Sequence, residues 1–252
     1  MSAEKIAIIG GTGALGLGLA LRWARAGVPV VIGSREAPKA EEAARKVLAL
    51  LQQLPPAERG AGSFSVEGLE NSQAAAQVGT VVLAVPFPAQ VGILKSIRNS
   101  LRSASKDTIF VDATVPLAVT LGGKPTRMIG LWQGSAAEQA RELVPSNIPV
   151  LAAFHNASAE GLQDLSMRLD CDILICGDDP AAKQRLFPLV NLIEGLRPID
   201  AGALEMARVV ESLTALLISL NRQYKVQHSG VRITGLEAHD AYNDAHSDPP
   251  KK

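Results

Sequence analysis

Short apolar runs alternate with stretches of helical spacing along the first two hundred residues. Residues 6–9 are continuously apolar (Ile6-Ala7-Ile8-Ile9), as expected of a strand buried on both faces. Residues 15–26 carry apolar side chains at helical spacing and stop at Gly27, a common helix terminator. A second strand is predicted over 28–33 and a second helix over 38–51, Ala-rich and charged outside by Glu41, Glu42, Arg45 and Lys46. Residues 52–63 hold Pro55-Pro56 and two glycines and read as a loop. Further strands are predicted over 64–66, 80–85, 108–113, 150–154, 172–176 and 196–200. Strands and helices alternating in this way predict an α/β fold, a doubly wound and mainly parallel sheet of Rossmann type.

The pattern changes after Gly202. Residues 204–224 form one long helical stretch with Met206, Val209, Val210, Leu213, Leu216, Leu217, Ile218 and Leu220. That is too apolar for a helix with one solvated face, so burial within the subunit or between two subunits is expected. Residues 238–252 are polar and end Pro249-Pro250-Lys251-Lys252, which reads as a disordered, solvated tail. Its His239, Asp240, Asp244 and His246 are metal-ligand types, but the setting favours solvent over a metal.

Charge and composition narrow the function. The chain has 252 residues with 25 Lys+Arg against 25 Asp+Glu, so it lacks the basic excess of a nucleic-acid binder. Five Phe, two Trp and two Tyr are too few for a base-stacking platform. Cys171 and Cys176 lie five residues apart on a predicted strand and point to opposite faces, so they read as buried thiols rather than a disulfide. The start, Met1-Ser2-Ala3-Glu4-Lys5, shows no signal-peptide pattern. No apolar run reaches the roughly 18 residues that span a bilayer. The expectation is a cytoplasmic protein.

Gly11-Thr12-Gly13-Ala14-Leu15-Gly16 fits G-x-G-x-x-G, directly after a strand and opening a helix. In this setting the first glycine serves the tight turn and the second lets the backbone approach a pyrophosphate. The third lets helix and strand pack closely, and the helix N-terminus stabilises the anion. An NAD site usually places Asp or Glu at the end of the second strand, about 20 residues on. Here that position reads Gly33-Ser34-Arg35, with Lys39 one helical turn later. A guanidinium binds a 2′-phosphate that a carboxylate would repel, so the pattern predicts NADP.

Beyond the fingerprint, the chain resembles the NADPH-dependent reductases of the deazaflavin coenzyme F420. The resemblance runs from Ile8-Ile9-Gly10-Gly11-Thr12-Gly13 and Gly33-Ser34-Arg35 through Leu83-Ala84-Val85-Pro86-Phe87 and Asp112-Ala113-Thr114-Val115-Pro116-Leu117. It continues in Gly134-Ser135-Ala136-Ala137-Glu138, Ala153-Phe154-His155-Asn156, Cys176-Gly177-Asp178-Asp179, residues 195–202 and Val210-Glu211-Ser212-Leu213-Thr214. It implies hydride transfer between NADP(H) and F420 in a cleft at the carboxyl ends of the strands. It further implies that Thr12 to Leu15 hold the pyrophosphate, that Ser34, Arg35 and Lys39 hold the 2′-phosphate, and that Val85, Val115 and Ala159 line the rest of the NADP site. Division into an NADP-binding domain (1–148) and a smaller domain completing the F420 cleft (149–237) is expected, as is a homodimer.

No residue stands out as a general acid or base, and transfer between two cofactors does not demand one. His155, at a predicted strand end, has two open readings: a donor to a cofactor carbonyl or ring, or a structural histidine bonded to backbone. Arg208, Arg222, Lys225 and Arg232 are candidate partners for the F420 phosphate, with ordinary surface charge the competing reading. Two further functional classes also stand at this point. One is NADPH-dependent reduction of a flavin, metal chelate, carbonyl or imine; the other is a non-catalytic NADP(H) sensor.

Overall fold

The computed structural model describes residues 4–56, 59 and 63–236. Its elements run β1 (Ile6–Ile9), α1 (Ala14–Arg25), β2 (Val30–Ser34), α2 (Ala37–Gln52), β3 (Val66–Glu70), α3 (Asn71–Ala76), β4 (Thr80–Leu83) and α4 (Gln90–Arg102). Then come β5 (Ile109–Asp112), α5 (Ala136–Leu143), β6 (Val150–Ala152), α6 (Ala159–Gln163), β7 (Cys171–Gly177), α7 (Pro180–Asn191), β8 (Leu196–Asp200) and α8 (Ala207–Tyr224). The strands form one sheet in the order β3-β2-β1-β4-β5-β6-β7-β8. Pairing is parallel from β3 to β6, antiparallel between β6 and β7, and parallel again between β7 and β8. The expected doubly wound sheet is therefore present, with its one reversal at β6–β7.

The strands read most easily are those buried on both faces: every residue of β1, β2, β4 and β5 is buried. The edge strand β3 begins two residues later than expected, because its half-exposed Val-Glu-Gly-Leu-Glu carries only a weak apolar signal. Two apolar layers flank the sheet. One is built on α1, α2, α6 and α7 around Trp23, Leu51, Leu162 and Leu186. The other is built on α3, α4, α5 and α8 around Leu94, Ile97, Ala137 and Val210. Cys171 and Cys176 are free and buried, and burial pushes the Cys176 thiol up to about 12.

Two polar clamps join distant stretches of chain. From α1, the buried Arg22 guanidinium donates to the carbonyls of Gly161 (2.7 Å), Leu162 (3.0 Å), Asp164 (2.5 Å) and Met167 (2.9 Å). On β7, the fully buried Asp172 accepts from Arg197 (2.6 and 2.7 Å), from Arg232 (2.7 Å) and from the Ile233 N–H (2.7 Å). Burial pushes the Asp172 carboxyl up, but these donors outweigh it and hold it at about 2. Arg232 also pairs with Asp170, and Arg208 with Glu138 at 3.0 Å, so two of the four candidate phosphate cations are engaged within the chain.

Helix α8 divides its apolar residues. Val210, Ala215 and Leu217 face the protein, whereas Val209, Leu216, Leu220 and Tyr224 are exposed. Its buried face also carries a carboxylate, Glu211.

Candidate functional site

The carboxyl ends of the central parallel strands lie level with one another. Ala84 N–H donates to Ile9 O (2.9 Å), Ala113 N–H to Leu83 O (3.0 Å) and Ala153 N–H to Asp112 O (3.1 Å). The loops after β1, β4, β5 and β6 therefore start side by side, at the edge where open α/β sheets bind ligands. A groove of about 810 Å³ opens instead beside the amino ends of β4, β5 and β6, lined by Gly79, Thr108 and Arg185. None of β1 to β6 delivers its carboxyl end there, only the reversed β7, through Asp179 and Ala182, so its size does not make it the site.

The loop after β1 is shaped by its glycines. Gly10 takes the left-handed turn at φ +83, one residue before the fingerprint proper. A Cβ on Gly16 would lie 2.7 Å from both Gly10 O and Gly11 Cα, so only glycine lets α1 start this close to the loop. A Cβ on Gly13 would meet Gly10 O at 3.3 Å and Ala84 O at 3.8 Å, so a side chain there would crowd the loop. Helix α1 has no side-chain cap and no acidic residue in its first turn. Among the described residues no protein acceptor takes the N–H groups of Ala14, Leu15 and Gly16. An uncapped twelve-residue helix with free N–H groups fits a pyrophosphate.

At the end of β2, Ser34 is nearly buried and its Oγ accepts from Glu36 N–H at 3.4 Å. Arg35 beside it is exposed, and no ion-pair partner for it is found among the described residues. The Lys39 ammonium reaches Glu36 Oε1 at 2.6 Å, and that contact holds the Glu36 carboxyl below its ordinary range. A hydroxyl and two cations thus gather at the start of α2, with one carboxylate among them. Val85 packs against the first loop: a Cβ on Gly10 would lie 2.5 Å from Val85 Cγ1. Val115 follows β5 and is half-buried. Ala159 opens α6 beside α1, where a Cβ on Gly18 would come within 3.4 Å of Ala159 O, and Gln163 Nε2 donates to Ala14 O at 3.0 Å.

His155 sits just past β6. The residue before it, Phe154, is fully buried at φ +69, a strained conformation for a bulky side chain. Its ring is held edge-on to Trp23 at 5.7 Å, which fixes the turn that presents His155. His155 is 4% exposed, and neither Nδ1 nor Nε2 has a hydrogen-bond partner. Burial lowers it to about 4, so the ring is neutral near pH 7 and one ring N–H is left without an acceptor. The backbone-bonded reading of this side chain is not realised; its own carbonyl, instead, accepts from Thr214 Oγ1 at 2.6 Å. His155, Ala159, Thr214, Leu217 and Asn221 line a cavity of about 240 Å³. An orphaned donor facing such a cavity fits a ligand carbonyl.

Four polar residues escaped the sequence reading as functional groups. Asp112, wholly buried at the end of β5, accepts from Gln90 Nε2 (2.8 Å), Thr114 N–H (2.8 Å) and Thr114 Oγ1 (2.5 Å). Burial pushes this carboxyl up to about 6. Gln90 Nε2 also contacts Thr114 Oγ1 (2.7 Å) and Ala136 O (3.0 Å). Glu211 accepts from the Ala136 and Ala137 N–H groups at 3.0 and 3.1 Å. Burial raises it to about 8 against those two bonds. The available signal was a glutamate, Glu211, directly after Val209-Val210 in the apolar stretch 204–224.

Among the described residues no cluster of three or more His, Cys, Asp and Glu could hold a metal ion. The tail residues His239, Asp240, Asp244 and His246 lie outside the described part. No helix among the described residues is long and apolar enough to cross a membrane.

Comparison with known proteins agrees with this geometry. Residues 5–116 match the family described as NADP oxidoreductase, coenzyme F420-dependent. The chain is 47% identical over 233 residues to the F420-dependent NADP reductase of Methanothermobacter thermautotrophicus, covering 92% of this chain and 95% of that protein. It is 43% identical to the reductase of the same name from Methanocaldococcus jannaschii, over 92% of this chain and 99% of the relative. Among solved structures, a candidate F420-dependent NADP reductase from Arthrobacter sp. FB24 superimposes with a TM-score of 0.71 at 25% identity, over 92% of this chain and all of that one.

Proposed function

The chain belongs to the F420-dependent NADP oxidoreductase family and moves hydride between NADP(H) and F420, and we propose that the transfer takes place in the cleft over β1, β4, β5 and β6. The observation that carries this reading is the convergence of two different vacancies for hydrogen bonds at one sheet edge. One is the set of free N–H groups at the start of α1; the other is the orphaned ring of His155.

The chemistry supplied by the bound dinucleotide is donation or acceptance of hydride at its nicotinamide. The protein's own residues bind, orient and exclude water. Thr12, Ala14, Leu15 and Gly16 offer N–H groups to the pyrophosphate, with Gly11 and Gly13 keeping the approach clear. Ser34, Arg35 and Lys39 hold the 2′-phosphate. Val85, Val115 and Ala159 wall the path to the nicotinamide. His155, neutral and dry, donates a hydrogen bond to a carbonyl of the bound cofactors, which fixes the mutual placement of the rings and moves no proton. Proximity in an apolar slot then supplies much of the acceleration. The division at 148/149 fits this reading, since it separates the strands that bind NADP from the segment that carries His155 and α8. The chain works in the cytoplasm and as a homodimer, the exposed apolar stripe of α8 supporting the latter.

The test is an anaerobic mixture of the purified protein, NADPH and oxidised F420, followed by the visible deazaflavin absorption. Bleaching that requires the protein and is much slower with NADH is the expected result. Unchanged absorption, with NADP binding intact by calorimetry, would move the site's acceptor elsewhere.

A further inference from the structure

The buried carboxyl group of Glu211 takes no part in the proposed contacts with either cofactor, yet its surroundings connect the two walls of the cleft. Its two oxygens receive the first two N–H groups of α5, from Ala136 and Ala137, at 3.0 and 3.1 Å. The carbonyl of that same Ala136 accepts from Gln90 Nε2 at 3.0 Å. Gln90, buried at the start of α4, passes the link to Asp112 and Thr114 at 2.8 and 2.7 Å. The next residue is Val115, on the nicotinamide side. In the other direction, Thr214 lies three residues beyond Glu211, on a neighbouring face of α8, and bonds the carbonyl of His155 at 2.6 Å. One unbroken chain of hydrogen bonds therefore runs from the loop after β5, through the start of α5, to the helix that holds the His155 segment.

A carboxyl group removed from water is costly unless its partners are fixed; here it satisfies the first two N–H groups of α5, which would otherwise be left unpaired. An apolar residue would fill the space between α8 and α5 without aiming anything. A carboxyl group with two backbone donors instead fixes both the distance and the rotation between the helices. We infer that Glu211 is a positioning residue for hydride transfer, its paired bonds to Ala136 and Ala137 setting the gap between the Val115 wall and the His155–Thr214 wall. The inference rests on the cleft reading above.

Glu211→Gln keeps the shape but leaves one of the two α5 N–H groups facing an amide N–H. The hydride step, read in a single turnover by deazaflavin absorption, is expected to slow roughly tenfold or more, since small misplacements at a reacting centre carry large rate costs. Calorimetric affinity for NADP+ should stay within about twofold, because the phosphate-binding loop is untouched. The deuterium isotope effect with NADPH labelled at the transferred position should rise as the chemical step becomes limiting. Gln90→Met cuts the same chain at another link, and the double variant should be no slower than the slower single variant. Additive effects, or a hydride step at the parent rate in folded Glu211→Gln, would overturn the role. Should Glu211→Gln not fold, Gln90→Met decides alone, a parent hydride rate again overturning it. Thr214→Val separates the two levels. If it and Glu211→Gln are both silent, the cleft reading fails; if only Glu211→Gln is silent, the positioning role alone fails.

Discussion

Glu36 stands between Arg35 and Lys39, the two cations proposed to read the 2′-phosphate, and it already holds Lys39. Lys39 sits 2.6 Å from its carboxylate, with both side chains more than half exposed. A dianionic phosphate must compete for Lys39, whereas a 2′-hydroxyl has no such competitor. Glu36→Gln should accordingly tighten NADP+ binding, by roughly two- to fivefold given the usual strength of exposed ion pairs, and leave NAD+ unchanged. Arg35→Glu should act the other way, weakening NADPH far more than NADH. Calorimetry with the four nucleotides checks both, and equal effects on the phosphorylated and unphosphorylated forms would refute the assignment. The proposed cations can be named from the sequence because a strand end after G-x-G-x-x-G has a known partner in the ligand. The Glu36–Lys39 contact was not, since an acidic residue beside a basic one is compatible with many side-chain arrangements. The same limit hid Gly10: the turn it makes is set by the loop's path, and the glycine that matches the motif is its neighbour.

Among the elements, α1 carries more than its pattern announces. Its apolar spacing predicts one buried face, yet Arg22 lies on that face at 5% exposure with four carbonyls from residues 161–167 around it. Burial, with the nearby Arg25 charge, lowers the guanidinium, and the Asp164 and Glu194 carboxylates act partly against it. Arg22→Met should cost about 3 kcal/mol, the expense of stranding buried acceptors. For a chain of this size that lowers the melting midpoint by roughly 6–12 °C, measurable by calorimetry. A loss near zero would mean that water replaces the guanidinium. Periodicity exposed α1, α2 and the four central strands because their burial is uniform along a face. It missed the Arg22 clamp and the left-handed turn at Phe154, since both depend on pairings more than a hundred residues apart. The long apolar stretch 204–224 is too hydrophobic on sequence for solvent on one side, yet in the single chain one face of α8 is exposed, and the identity of its inner face, with Glu211 upon it, emerges only once α5 is in place.

At the level of the whole molecule, the exposed stripe of Val209, Leu216, Leu220 and Tyr224 is the outward counterpart of that inner face. Burying it against a second copy is the basis for the proposed homodimer. Sedimentation should give twice the chain mass, and Leu216→Glu with Leu220→Glu should halve it while the circular dichroism spectrum stays unchanged; a parent protein sedimenting as a single chain would end the proposal. A second property of the whole follows from the continuous sheet. β6 is hydrogen-bonded to β5 on one side and to β7 on the other, and Arg22 ties the first helix to the segment after β6. Many dehydrogenases admit and release nucleotides by swinging two lobes about a hinge, and turnover then waits on reopening. Here the walls share one sheet and one clamp, so the substrates must come and go through a mouth of constant width. Turnover in such an enzyme should be insensitive to solvent viscosity wherever ligand departure is not itself diffusive, and cofactor exchange should leave small-angle scattering profiles unaltered.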